Sequence, residues 1–306
     1  MASPRIITLD LNFQNKTQAI ASYLIRHEDG AVLIESGPGS TLSSLEAGLA
    51  KEGLSPRHIT HVLLTHIHLD HAGAAGWLSR QGAQIFVHPN GAAHMLNPEK
   101  LIASATRIYG DRMNQLWGEF LPVAENQLTV PNDAQAIHIG NLEFIPINTP
   151  GHAEHHYSYL FEDLCFSGDV GGVRIPGYPY LRAPMPPPEL HFGRWRESLA
   201  RLRSLKFARI APTHFGIFED ADWQLTQLQK ILDATEKWLE EIMPADPPVD
   251  VLRAKFEDWM NAQSRAENLS EEVIRAYDLA NPLGMSADGL MRYWKKVRMA
   301  NVTHNA

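Results

Sequence analysis

Thr65-His66-Ile67-His68-Leu69-Asp70-His71 is the stretch that decides how this chain is read. It packs three histidines and one aspartate into positions 66–71, straight after the apolar run ITHVLL (59–64). A short apolar run that ends in polar residues suits a buried strand delivering side chains at its C-terminal edge. On an extended segment His66 and His68 point to the same side, because side chains alternate with period two. They can grip one ion. Asp70 and His71 fall where the chain turns into a helix expected over about 71–81, so they can face a second ion at a helix end that favours a carboxylate. With His and Asp each about one residue in twenty, a match at four fixed positions arises by chance in roughly 0.2% of chains this long. Chance explains it poorly.

Three further segments have the same character: Thr149-Pro150-Gly151-His152 after LEFIPI (142–147), Ser167-Gly168-Asp169 after LCF (164–166), and Pro212-Thr213-His214-Phe215-Gly216 after ARIA (208–211). Each puts one His or Asp just past an apolar strand, where α/β architectures collect functional groups. A lone histidine there usually satisfies a structural hydrogen bond. Three such positions beside the 66–71 cluster favour metal.

The composition agrees. The 306 residues are enough for one large domain or a core with an appendage, and 44% hydrophobic with 20% charged residues describes a folded globular chain. Lys and Arg total 27 against 35 Asp and Glu, a net charge of -8 with no basic block, which argues against nucleic acid as a partner. Cys165 is the single cysteine, so an internal disulfide or a thiolate cluster within one chain is excluded and any metal must be held by the 15 histidines and the carboxylates. The opening MASPRIITLDLNF lacks a basic segment followed by an apolar one, and no run approaches 18 apolar residues. A cytoplasmic protein with no membrane association is expected.

Residues 5–36 read as three strands, and TLSSLEAGLAKEGL (41–54) as a helix capped by Ser40 or Thr41 and stopped at Gly53. A strand QIFVH (84–88), a helical stretch over about 90–118, strands AIHI (136–139), LEFIPI and HYSYLFE (156–162), a helix over about 193–205 and a strand FARIAP (207–212) follow. Pro, Gly and Tyr crowd residues 170–190, which predicts a long stiff loop. From about 219 nearly everything reads as helix: a long one capped by Asp220 or Asp222 and ending before Pro244, two more, and a last one from Ser286. The chain therefore divides into an alternating α/β part, 1–218, and an α-helical C-terminal region, 219–306.

The ligand motifs, in this order, resemble those of the metallo-β-lactamase superfamily, and the resemblance covers about residues 5–218. It implies an αββα sandwich in which His66, His68 and His152 bind one metal, Asp70, His71 and His214 a second, and Asp169 bridges the two. It implies a dinuclear hydrolase whose metal-bridging hydroxide attacks a small ester, thioester or lactone, with Asp70 orienting that hydroxide. Imidazole and carboxylate ligation suits Zn²⁺, Fe²⁺ or Mn²⁺ and does not by itself choose among them; two divalent ions are expected, with Zn²⁺ as the first candidate.

Past His152, His156 and Tyr159 fall at spacings similar to the glyoxalase II-like branch. They pack on a strand or support a ligand from behind. Two features depart from relatives: Leu33-Ile34-Glu35-Ser36-Gly37 has Glu35 where many have Asp, and no match is found to the basic C-terminal residues with which glyoxalase II holds glutathione. Asn281-Pro282-Leu283-Gly284-Met285-Ser286 and Gly289-Leu290-Met291-Arg292-Tyr293-Trp294 resemble the helical end of uncharacterised glyoxalase II-like hydrolases.

Substrate contacts are expected from the 170–190 loop, where Arg174, Tyr178, Tyr180 and Arg182 could bind a carboxylate or stack on an acyl group. A small molecule is the expected substrate, and the C-terminal helices are a candidate surface for a homo-oligomer. The alternatives are a mononuclear iron oxidoreductase resembling persulfide dioxygenases, and a ligand sensor or partner-binding protein with vestigial activity.

Overall fold

The computed structural model describes residues 4–299. Its first sheet runs β1 (Ile6–Asp10), β2 (Ala21–His27), β3 (Gly30–Ile34), β4 (Ile59–Leu63), β5 (Gln84–Phe86) and β6 (Leu128–Thr129) in spatial order. β1 to β3 pair antiparallel and β3 to β6 parallel. The second sheet runs β11 (Arg209–Ala211), β10 (Leu164–Phe166), β9 (Tyr157–Phe161), β8 (Leu142–Asn148) and β7 (Ile137–Ile139), antiparallel except for the β10–β11 pair.

Strand alternation makes the layers. In β2, Tyr23 and Ile25 face the second sheet while Leu24 faces the helices outside the first, and in β3 Val32 and Ile34 alternate in the same way with Ala31 and Leu33. The outer helices on that side are α1 (Leu42–Lys51), α2 (Leu69–Ala72), α3 (Ala75–Arg80), α4 (Pro89–Leu96), α5 (Glu99–Tyr109) and α6 (Met113–Trp117). On the far side lie α7 (Phe192–Ser204) and then α8 (Ala221–Ile242), α9 (Val249–Ala266), α10 (Glu271–Ala280) and α11 (Leu283–Tyr293). This is the expected αββα sandwich with a helical C-terminal region. The expected range of that region extends to 306, and its last seven residues, 300–306, lie outside the described part, as do residues 1–3.

One apolar cluster runs from Ile147, Cys165 and Ile210 of the second sheet through Trp195 and Leu199 of α7 into Leu225, Leu228, Leu252, Phe256 and Leu290 of the C-terminal helices. The helical region therefore shares its core with the sandwich. Fully burying each such side chain stabilises by about 1.5–3 kcal/mol, which ties the two regions together. Among the described residues no helix is long and apolar enough to cross a membrane.

Several local expectations are corrected. The helix expected over 71–81 is two short helices, because the Ala74 amide leaves the helical pattern to donate to the Gly37 carbonyl (2.9 Å). The 90–118 stretch breaks into α4, α5 and α6, with Pro98 and Gly110 at the breaks. The final helix starts at Leu283, one turn before Ser286. Thr41 occupies the N-cap of α1, but its hydroxyl donates to the Pro38 carbonyl (3.0 Å) and makes no capping bond.

Candidate metal centre

Four loops leave the C-terminal ends of β4, β8, β10 and β11 on one edge of the sandwich, and they carry all seven sequence-derived ligand positions to one place. His66, His68, His152 and Asp169 form one group whose candidate ligand atoms lie within 4.8 Å of one another. Asp70, His71 and His214 form another on the same criterion, within 4.8 Å. Nδ1 of His68 lies 2.9 Å from Nε2 of His66 and 3.0 Å from Nε2 of His152. Asp169 joins the groups: its Oδ2 is 3.3 Å from His152 Nε2, while its Oδ1 is 3.3 Å from His71 Nε2 and 3.4 Å from His214 Nε2. Asp70 Oδ2 completes the second group at 3.6 Å from His71 Nε2 and 3.4 Å from His214 Nε2.

The groups behind these residues fix which nitrogen faces inward. A backbone carbonyl can only accept, so His152 Nδ1–H donates to the Pro184 carbonyl (2.8 Å) and His214 Nδ1–H to the Ala19 carbonyl (2.6 Å). His71 Nδ1–H donates to Glu35 Oε1 (3.0 Å). The Thr65 hydroxyl also donates to Glu35, which leaves its oxygen to accept from His66 Nδ1–H (3.0 Å). In their neutral form, the one that ligates a metal, all four rings then direct an Nε2 lone pair at the centre. His71 Nε2 and Asp169 Oδ1 are buried and have no hydrogen-bond partner among the described residues. Converging nitrogen lone pairs and an orphaned carboxylate oxygen need a cation between them, so the residues fit a metal site.

Glu35 supports this arrangement. It is fully buried and holds a left-handed backbone conformation (φ 67°), a strain that persists because its carboxylate is anchored on several sides. Besides His71 and the Thr65 hydroxyl, it accepts from Thr213 Oγ1 (3.0 Å) and the Thr65 amide (3.2 Å). The His71 carbonyl meanwhile accepts from the Ser36 amide (2.9 Å) and hydroxyl (2.8 Å). The longer carboxylate thus reaches from the end of β3 to two of the four ligand loops. Gly168 is needed for close packing at the Asp169 turn: a Cβ there would lie 2.6 Å from Thr65 Oγ1 and 2.7 Å from His156 Nε2.

Electrostatically the two groups differ. Burial, and then the neighbouring imidazoles, push His66 well below the ordinary range and His68 down to about 3, and burial lowers His152 as well. Burial also opposes the charged forms of His71 and His214, but the surrounding carboxylates outweigh it: Asp70, Asp169 and Glu35 raise His71 well above its usual value, and Asp169 and Asp70 raise His214. Burial would raise Asp70, yet His71 and His214 hold it at about 2.

His156 lies behind the centre, its Nδ1 2.8 Å from Thr149 Oγ1 and its ring 5.1 Å from that of His66. Tyr159 is buried and donates to the Leu64 carbonyl (3.0 Å), steadying the backbone just before the ligand run. His155, which the sequence reading passed over, takes the Ile67 amide on Nδ1 (3.4 Å) and sits 3.5 Å from Glu189 through Nε2.

Three of the four side chains expected to contact substrate from the 170–190 loop are buried in other contacts. The Arg174 side chain turns to α8, pairing with both Asp220 oxygens (2.5 and 2.9 Å) and lying over Phe218 and Trp223. Asp220 therefore stands at the N-cap of α8 without capping it. Tyr180 is buried with its hydroxyl on Ser264 (2.8 Å), and Arg182 is buried against Asp278 (2.5 Å). Tyr178 is exposed at 37%. Three of these four side chains fasten the loop beneath the helical region because their charged or polar ends find partners on α8, α9 and α10.

Sequence comparison now settles the family. The description of the metallo-beta-lactamase superfamily matches residues 17–214. The chain belongs to that superfamily. It is 26% identical to the metallo-beta-lactamase fold-containing protein ST1585 of Sulfurisphaera tokodaii over 64% of this chain and 72% of that protein. The solved structure of ST1585 covers 95% of this chain and 99% of its own, at 20% identity and a TM-score of 0.63. Two atrochrysone carboxyl ACP thioesterases of Aspergillus fumigatus are 23% and 24% identical over 74% and 83% of this chain and 45% and 68% of theirs. A hydroxyacylglutathione hydrolase of Xylella fastidiosa is 27% identical over 48% of this chain and 43% of its own. The chain thus spans under half the length of that hydrolase and of one of the thioesterases.

Proposed function

We propose that this superfamily member is a dinuclear metal-dependent hydrolase of a small ester, thioester or lactone, with Zn²⁺ the first candidate ion. The observation that carries the reading is Asp169, whose two oxygens face two separate ligand groups. When bound, two divalent ions bring the pKa of water toward neutrality and polarise a carbonyl oxygen. His66, His68 and His152 would hold one, Asp70, His71 and His214 the other, with Asp169 shared.

The chain's own groups supply access and orientation. The Asp70 side chain is 21% exposed, against 0% for His71 and 6% for Asp169, so substrate approaches on the Asp70 side. Its carboxylate stays ionised and can accept a hydrogen bond from the attacking water at Oδ2. Tyr109 of α5 donates to Met285 Sδ of α11 (3.4 Å), so the sandwich and the helical region meet there. Burial first, and then the negative charge of Asp70, raises the pKa of the Tyr109 hydroxyl. Relatives named as a thioesterase and a hydroxyacylglutathione hydrolase support the same bond class. The complete second ligand group favours two ions over the single iron of a persulfide-dioxygenase-like enzyme.

The experiment is metal analysis beside a panel of thioesters, lactones and aryl esters, on the wild type and on His66→Ala and Asp70→Ala. Bound transition metal with turnover that both substitutions abolish is expected. No transition metal, full activity in the variants, or oxygen consumption with glutathione persulfide overturns the reading. So does a fully metallated protein that turns over nothing and binds a partner through its helical region.

A further inference from the structure

Gln224 and Arg174 are buried polar side chains that the proposed chemistry leaves unused. Gln224 lies on α8, beyond residues 17–214, and is fully buried. Its Nε2 donates to the Gly171 carbonyl (2.8 Å), which closes the turn Gly168–Gly171 that carries Asp169. Its Oε1 accepts from Arg174 Nη1 (3.0 Å). The Arg174 backbone in turn clasps the other strand-end loop: its amide donates to the His214 carbonyl (2.6 Å), and its carbonyl accepts from the Phe215 amide (3.1 Å). Asp220 and the rings of Phe218 and Trp223 fix the guanidinium. A continuous chain of contacts therefore runs from the Asp169 turn through Gln224 and Arg174 to His214.

Both ends of that chain carry ligand candidates for the Asp70–His71–His214 group, and those ends meet at Asp169 Oδ1 and His214 Nε2, 3.4 Å apart. His66 and His152 are braced elsewhere, by Thr65 and Pro184. We infer that Gln224 and Arg174 are positioning residues for the second ion, so that the helical region is a working part of the metal centre. The inference rests on the two-ion reading above. Outer groups of this kind commonly change metal affinity by about 10–100-fold when lost.

The test is Zn²⁺ titration against a competing chelator, with native mass spectrometry counting ions per chain. Wild type, Gln224→Leu, Gln224→Glu and Leu252→Ala are compared by thermal melting and circular dichroism. Gln224→Leu removes both side-chain bonds. Gln224→Glu keeps an acceptor for Arg174 but cannot donate to Gly171. Leu252→Ala loosens the shared core from α9, where Leu252 is fully buried, and removes no hydrogen bond to either ligand loop.

The expected result is second-ion affinity reduced about 10–100-fold in Gln224→Leu and by a smaller factor in Gln224→Glu, with first-ion affinity, which depends on this chain of contacts through Asp169 alone, reduced less. Leu252→Ala should lower the melting temperature and leave both affinities as in wild type. Both Gln224 variants matching wild type in second-ion affinity, or Leu252→Ala weakening it as much as Gln224→Leu at equal loss of melting temperature, overturns the inference. A wild type that binds one ion or none overturns the two-ion reading instead.

Discussion

The two halves of the proposed metal centre are built from similar candidate ligands but supported differently. His66, His68 and His152 form an imidazole face whose pKa values are lowered by burial and by each other. Asp70, His71 and His214 lie among three carboxylates, counting Glu35 and Asp169, and their two histidines are raised. Without an ion, the first half is neutral and ready to ligate. The second half holds protons where a cation belongs. The first half is thus neutral, whereas in the second two raised histidines offset two of the three carboxylates and leave a net negative charge that suits a cation.

The most damaging change to this comparison is Asp169→Ala, which removes the carboxylate whose two oxygens face the two halves. Loss of second-ion binding and a fall in turnover beyond the about 10–100-fold typical of outer-group losses are expected, read by ion counting and steady-state kinetics. Glu35→Ala comes next. It leaves His71, Thr65 and Thr213 without their buried acceptor, so a stability loss of about 3–5 kcal/mol is expected by chemical denaturation. The second ion should weaken more than the first, because the His71 imidazole bonds to Glu35 directly and His66 only through Thr65.

A gentler probe is pH. Binding at the second half must displace protons from His71 and His214, which hold them above the usual 6.5. Its affinity therefore rises as pH climbs through and above that value, while the first half, already neutral there, changes little until more acid pH. Calorimetric titration in buffers of different ionisation enthalpy should find proton release mainly with the second ion. The smallest effect is expected from Tyr178→Ala: exposed side chains away from special contacts rarely shift stability by more than about 0.5 kcal/mol, and both ion affinities should stay as in wild type.

The ligand positions were legible because His66, His68, Asp70 and His71 lie within six residues and the other three each follow an apolar strand. The sandwich was legible for the same reason, since strand alternation and the α8 stripe of Leu225, Leu228, Leu232 and Leu239 are local patterns. The supporting groups were not, because their partners are remote in sequence. Glu35 meets Thr65, His71 and Thr213 across 30, 36 and 178 residues. Arg174 looked like a substrate contact because a basic residue in a Pro-rich loop shows no sign of Asp220, 46 residues on. One signal was available: Gln224 falls on the buried stripe of α8 between Ala221 and Leu228, and a polar residue on an apolar face requires a buried partner.

The central claim is that this chain holds two ions joined by Asp169. Native mass spectrometry of the intact chain titrated with Zn²⁺, with Asp169→Ala alongside, tests it most directly. The account predicts that the wild type fills to two ions per chain and that the variant does not. A wild type that saturates at a single ion, or an Asp169→Ala variant that still fills to two with unchanged affinities, would contradict it.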